Sequence, residues 1–88
     1  MVKLRNIADF ITSNHLGDFD AEYGFNNVIV CFVPVKGYDF NKVYLDYMIN
    51  IETGESKIEY CDCRDEDDDK HEFTIISTEE ALRLRGLS

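Results

Sequence analysis

An α+β fold in two layers is predicted: an N-terminal helix, a three- to four-stranded antiparallel sheet and a short C-terminal helix, with residues 1–88 forming a single domain. Three observations predict it. Apolar residues recur at helical spacing near the start, three strand-like runs separated by turn signals follow, and a helix-capping pattern stands near the end. Hydrophobic residues make up 44% of the chain, including five Tyr and six Phe, which is enough apolar surface to offset the entropy of ordering it.

The first element spans residues 3–14, where Leu4, Ile7, Ala8 and Ile11 fall on one helical stripe and Arg5, Asn6 and Asp9 lie largely outside it. HLGDFDAEYGFNN then breaks the pattern with Gly17 and Gly24. It reads as a loop, with room for a short edge strand, whose Phe19, Tyr23 and Phe25 fold back onto the core. NVIVCFVPV places Val28, Val30 and Phe32 on one face and Ile29, Cys31 and Val33 on the other, the signature of a central strand covered on both sides. Pro34 ends it, since proline cannot donate to a sheet ladder.

KVYLDYMINI alternates, with Val43, Leu45, Tyr47, Ile49 and Ile51 toward the core and Tyr44, Asp46, Met48 and Asn50 on a semi-polar outer face. ETGES is a hairpin signal, so SKIEYCDC returns antiparallel. With Thr53 and Gly54 as the two turn residues, Ile49 would face Ile58 and Tyr47 would face Tyr60. Glu59, Cys61 and Cys63 would then share the outer face with Tyr44, Asp46 and Met48, an assignment that a one-residue slip would invert. RDEDDDK is a second turn and HEFTII a further strand. STEEALRLRGLS opens on Ser77 with Glu80 three residues on, a capping box, and carries Arg83 and Arg85 before Gly86.

The net charge of -9 opposes binding to nucleic acid or to anionic lipid and favours a cationic partner. Residues 61–72 hold seven acids against Arg64 and Lys70, a net of -5, so this window dominates the field. Three cysteines, Cys31, Cys61 and Cys63, cannot all pair within one chain, which favours reduced thiols and a cytoplasmic setting. The opening residues lack a signal-peptide core, and no apolar run reaches membrane-spanning length.

CDCRDEDDDKH raises the question of metal. Cys61, Cys63 and His71 are competent zinc ligands, with Cys31 or an aspartate as a fourth, but alternate residues on one strand do not make the wider-spaced knuckle of structural zinc sites. Two small residues on a strand face is the better reading, with zinc as the alternative. Asp65, Asp67 and Asp69 match the start of an EF-hand loop, yet its sixth and twelfth positions are Lys70 and Ile76 instead of Gly and Glu. A Cys61–Cys63 disulfide would strain the strand, and the acid run works against thiolate formation.

No nucleophile elbow, phosphate loop or H-E-x-x-H pattern contains His15 or His71, so no enzyme activity and no cofactor are expected. Helix, strands, helix is also the order of the double-stranded-RNA-binding domain. That family begins its last helix with basic residues, whereas Thr78, Glu79 and Glu80 stand here, so the likeness is one of element order alone.

The expectation that remains is a protein contact. Asp46, Glu52, Glu55 and Glu59 run along the hairpin, Asp62 and Asp65, Glu66, Asp67, Asp68 and Asp69 stand at its far end, and Tyr44 and Met48 lie among them. Negative charge along an extended edge with interspersed aromatics can occupy a groove built for phosphates, as nucleic-acid-mimicking inhibitors of the anti-CRISPR or anti-restriction type do. The expected partner is a basic protein surface, and the short core with a semi-apolar outer face leaves room for a homodimer.

Overall fold

In the computed structural model, residues 2–17, 21–23 and 26–87 are described. They form helix α1 (Val2–Ser13), strands β1 (Ala21–Tyr23), β2 (Val28–Pro34), β3 (Val43–Asn50), β4 (Ser56–Asp62) and β5 (Glu72–Ile76), and helix α2 (Thr78–Leu84), with a turn of 3-10 helix at Asp68–Lys70. The strands lie side by side in chain order, each antiparallel to the next. This is the predicted α+β architecture: four strands of five to eight residues, with the three-residue β1 as the short edge strand for which the sequence left room. Phe19 and Phe25 fall outside the described residues, and Tyr23 is described only as backbone of β1.

Both helices cover the same face of the sheet. Ile7, Phe10 and Ile11 of α1 and Ala81 and Leu84 of α2 pack on Ile29, Cys31 and Val33 of β2, Val43, Leu45, Tyr47 and Ile49 of β3, and Ile58 of β4. Full burial of a Val or Leu side chain such as Val43 or Leu45 contributes about 1.5–3 kcal/mol. The stripe on α1 differs from expectation: Phe10 is buried and Ala8 exposed, so among the described side chains the inward positions run Ile7, Phe10, Ile11, Asn14, and the Leu4 side chain lies outside those described. Phe10 meets Tyr47 edge-on at 6.2 Å between ring centroids, a larger contact than Ala8 could offer.

Arg85 ties the two helices together. Its Nη1 donates to the Asn14 carbonyl at 2.6 Å and to the Tyr47 hydroxyl at 3.1 Å, and its Nη2 donates to the His15 carbonyl at 2.7 Å. The carbonyls just past the end of α1 thus receive a cation, the charge that a helix C-terminus favours. Half of the predicted capping box of α2 is present: the Ser77 hydroxyl accepts from the Glu80 amide at 3.1 Å, while the Glu80 carboxylate pairs with Arg83 instead of reaching back to the Ser77 amide.

Two sequence expectations are corrected. β2 is covered on one face only, and Phe32 is 39% exposed, because both helices lie on the side of Ile29, Cys31 and Val33. The β3–β4 register is offset by two residues, with Tyr47 facing Ile58, Leu45 facing Tyr60 and Ile49 facing Ser56. The turn is longer than Thr53–Gly54 because the Asn50 side chain organises it: its Oδ1 accepts from the Glu52 and Thr53 amides at 2.9 and 3.2 Å. The Gly54 amide donates back to the Asn50 carbonyl at 2.8 Å, and Gly54 takes the left-handed conformation (φ 79°) that glycine adopts without steric cost. An even slip preserves which side each residue faces, so the predicted outer face stands although its cross-strand partners change.

Candidate functional site

The sheet face opposite the helices carries no other element among the described residues. Register defines it as a grid. Phe32 on β2 neighbours Asp46 on β3, which neighbours Glu59 on β4, which neighbours Ile75 on β5. One row toward the acidic turn stand Pro34, Tyr44, Cys61 and Phe73; one row the other way stand Val30, Met48 and Lys57. Two carboxylates therefore sit side by side within a largely apolar surface, on which Phe73 and Ile75 are 54% and 56% exposed.

The electrostatics of this pair are unfavourable in the isolated chain, since like charges directly opposite on neighbouring strands repel. The Asp46 Oδ1 is inaccessible to solvent and has no hydrogen-bond partner. Burial, and then the Glu59 charge, hold the Asp46 carboxyl above its ordinary range, with Lys57 acting the other way. Beside them Cys61 is 1% exposed, and its Sγ donates weakly to the Glu59 carbonyl and Oε1, both at 3.8 Å. Burial first, then Glu59 and Asp46, push this thiol up to about 12. Tyr44 is likewise pushed up to about 12 by burial and then by Cys61 and Cys63, and its ring touches Phe32 and Phe40 at centroid distances of 5.7 and 5.9 Å.

The second half of the site is the β4–β5 loop, whose side chains from Arg64 to Lys70 are exposed. Aspartates build its backbone turns as well as its charge. The Asp65 Oδ1 accepts from the Asp67 amide at 2.9 Å, and the Asp67 Oδ1 accepts from the Asp69 amide at 3.0 Å, capping the 3-10 turn. The His71 ring Nε2 donates to the Asp65 carbonyl at 2.8 Å and lies 3.6 Å from an Asp68 carboxylate oxygen. Asp65, Glu66, Asp67 and Asp69 have no ion-pair partner among the described residues.

The structure thus brings together Tyr44, Asp46, Met48 and Glu59 on the open face, and Asp65, Glu66, Asp67, Asp68 and Asp69 in the adjoining loop. Asp62 joins neither. It faces Val43 and Glu72 on the helix side of the sheet, where Arg64 holds it through Nε at 3.0 Å and Nη2 at 2.7 Å; those bonds keep its carboxyl below the usual range. Arg64 in turn lies 5.0 Å over the Tyr38 ring.

Cys61, Cys63 and His71 do not assemble as a metal-ligand set. Among the described residues, the three that bring donor atoms within 4.8 Å of one another are Asp46, Glu59 and Cys61, while the His71 ring is turned to the loop backbone. The cysteines are free thiols, and none of the described helices is long and apolar enough to cross a membrane.

Sequence reasoning missed Phe32, Phe73 and Ile75 as surface residues, and the opposition of Asp46 to Glu59. The usable signal for the first was two-sided hydrophobicity in β2 and β5, which marks burial or an uncovered face equally well. The second needed the turn length. Comparison with protein-family models, with curated proteins and with solved structures finds no match.

Proposed function

We propose that this protein is a non-enzymatic interaction module that binds the basic groove of a nucleic-acid-handling protein, placing carboxylates where phosphates would otherwise lie, and so acts as an inhibitor of the nucleic-acid-mimic type. The observation that carries the reading is the β4–β5 loop. Its acids are exposed, four of them lack a cationic partner among the described residues, and their backbone is fixed by internal hydrogen bonds. A loop already held in shape loses less entropy on docking than a flexible acidic tail, and unpaired charge raises the rate of encounter with a basic surface. Asp46, Glu59, Tyr44 and Met48 supply the contact beside it. Asp62, paired with Arg64, contributes to the field and not to direct contact. Three free thiols accord with a reducing, cytoplasmic setting.

The test begins with the partner recovered from the native host by the full chain. Its affinity is then measured for wild type and for Asp65→Asn/Asp67→Asn/Asp68→Asn/Asp69→Asn. Asparagine keeps the side-chain oxygen that caps the turn, so the fold is retained while the charge is removed. Binding is expected to be lost at physiological salt; unchanged affinity would refute the reading.

A further inference from the structure

We propose that the open sheet face receives an apolar segment of the partner, such as an amphipathic helix, that inserts one arginine between Asp46 and Glu59. This rests on the reading that the protein binds a basic partner and names the chemistry of the second contact. On the grid, Asp46 and Glu59 are bounded by Phe32, Tyr44, Met48, Cys61 and Ile75 and by one cation, Lys57, which forms no ion pair with either of them. Asp46 Oδ1 is shielded from solvent and accepts no hydrogen bond, so the oxygens left for an incoming donor are Asp46 Oδ2 and those of the Glu59 carboxylate.

Three occupants fit an uncovered face, and charge and size choose among them. A second copy laid face to face would bring four carboxylates into one apolar layer and join two chains of net charge -9. Four strands at about 4.8 Å spacing and about seven residues of length span roughly 500 Å², short of the roughly 800 Å² per partner of a standard stable interface. A single segment matches that area better than a globular surface does. Between the two cationic side chains, arginine fits better than lysine: its planar fork can donate to two carboxylates at once, it is less strongly hydrated, and it stacks on aromatic rings such as Tyr44 and Phe32.

The experiment uses the full chain and a short amphipathic peptide whose leucine and phenylalanine stripe carries one central arginine, together with a twin in which citrulline, its neutral isostere, replaces it. Affinities are read by calorimetry in chelator-free buffer at physiological salt. The arginine peptide is expected to bind about ten-fold more tightly, as a charge-assisted bidentate contact implies. Asp46→Asn/Glu59→Gln is expected to abolish that preference, and the loop variant with Asp65, Asp67, Asp68 and Asp69 changed to Asn is expected to keep it. Equal affinity of the two peptides, no binding up to about 1 mM, or a preference that survives in the double variant would overturn the proposal. So would its loss in the loop variant, or stoichiometric zinc uptake by Asp46, Glu59 and Cys61 that blocks the peptide. Failure of the loop reading appears elsewhere, in unchanged affinity of the native partner for the loop variant, so the two are separable.

Discussion

Asp46 on β3 stands directly opposite Glu59 on β4, on the sheet face that the helices leave open. Two carboxylates in this relation, among Phe32, Tyr44, Met48 and Ile75, repel each other across the strands and reduce the stability of the free chain.

Removing one of them is therefore expected to stabilise the protein. Like charges opposite one another on a sheet cost about 0.2–1 kcal/mol, so Asp46→Asn should raise the urea midpoint by a corresponding amount with the slope unchanged. A lower midpoint would mean that the pair is already satisfied within the chain.

The same residue sets a pH dependence. The folded chain raises the Asp46 carboxyl above its ordinary value, by burial first and by Glu59 second. In the window between the ordinary value and the raised one, the native state holds a proton that the unfolded state has released, so stability falls as pH rises through it and returns on acidification. Asp62 runs the other way: Arg64 lowers its carboxyl, so its contribution is present above the ordinary value and lost as pH falls. The stability difference between Asp46→Asn and wild type isolates the first effect, and it should widen as pH rises through the window. A pH-independent difference would remove it.

Arg85 offers a test of the helix layer. Its guanidinium serves the Asn14 and His15 carbonyls and the Tyr47 hydroxyl. Hydrogen bonds from charged donors are worth about 1.5–3 kcal/mol each, discounted here for partial exposure, so Arg85→Ala should cost about 2 kcal/mol by chemical denaturation. Arg85→Lys should recover little of that, since one ammonium cannot span acceptors placed for a planar fork.

The thiols should react in order. Cys31 and Cys61 are buried, and burial together with Glu59 and Asp46 keeps the Cys61 thiol protonated at neutral pH; Cys63, beyond the end of β4, is partly exposed. A thiol reagent should modify Cys63 first, and Cys63→Ser should remove the fast phase. A fast phase that persists in that variant would show that the open face does not shield Cys61.

Much of this was legible because periodicity encodes sides. The alternation of β3 named Val43, Leu45, Tyr47, Ile49 and Ile51 as core, and all five are buried. Ser77 and Glu80 announced their own hydrogen bond. The β3–β4 register was not legible: Thr53 and Gly54 suit a two-residue turn, but the Asn50 side chain captures two amides and lengthens it. That two-residue shift places Asp46 opposite Glu59 instead of Cys61. The bare face of β2 was hidden for another reason, since Phe32 reads as a core residue until the placement of both helices on the opposite face is known.

Under the proposed function, carboxylates of the β4–β5 loop carry binding to a basic groove. The most direct measurement is the affinity of the native partner, at physiological salt, for wild type and for the variant with Asp65, Asp67, Asp68 and Asp69 changed to Asn. Loss of binding with the fold intact is expected, together with release of nucleic acid from the partner by wild type alone. Equal affinity of the two proteins, or a ternary complex in which the partner keeps its nucleic acid, would contradict it.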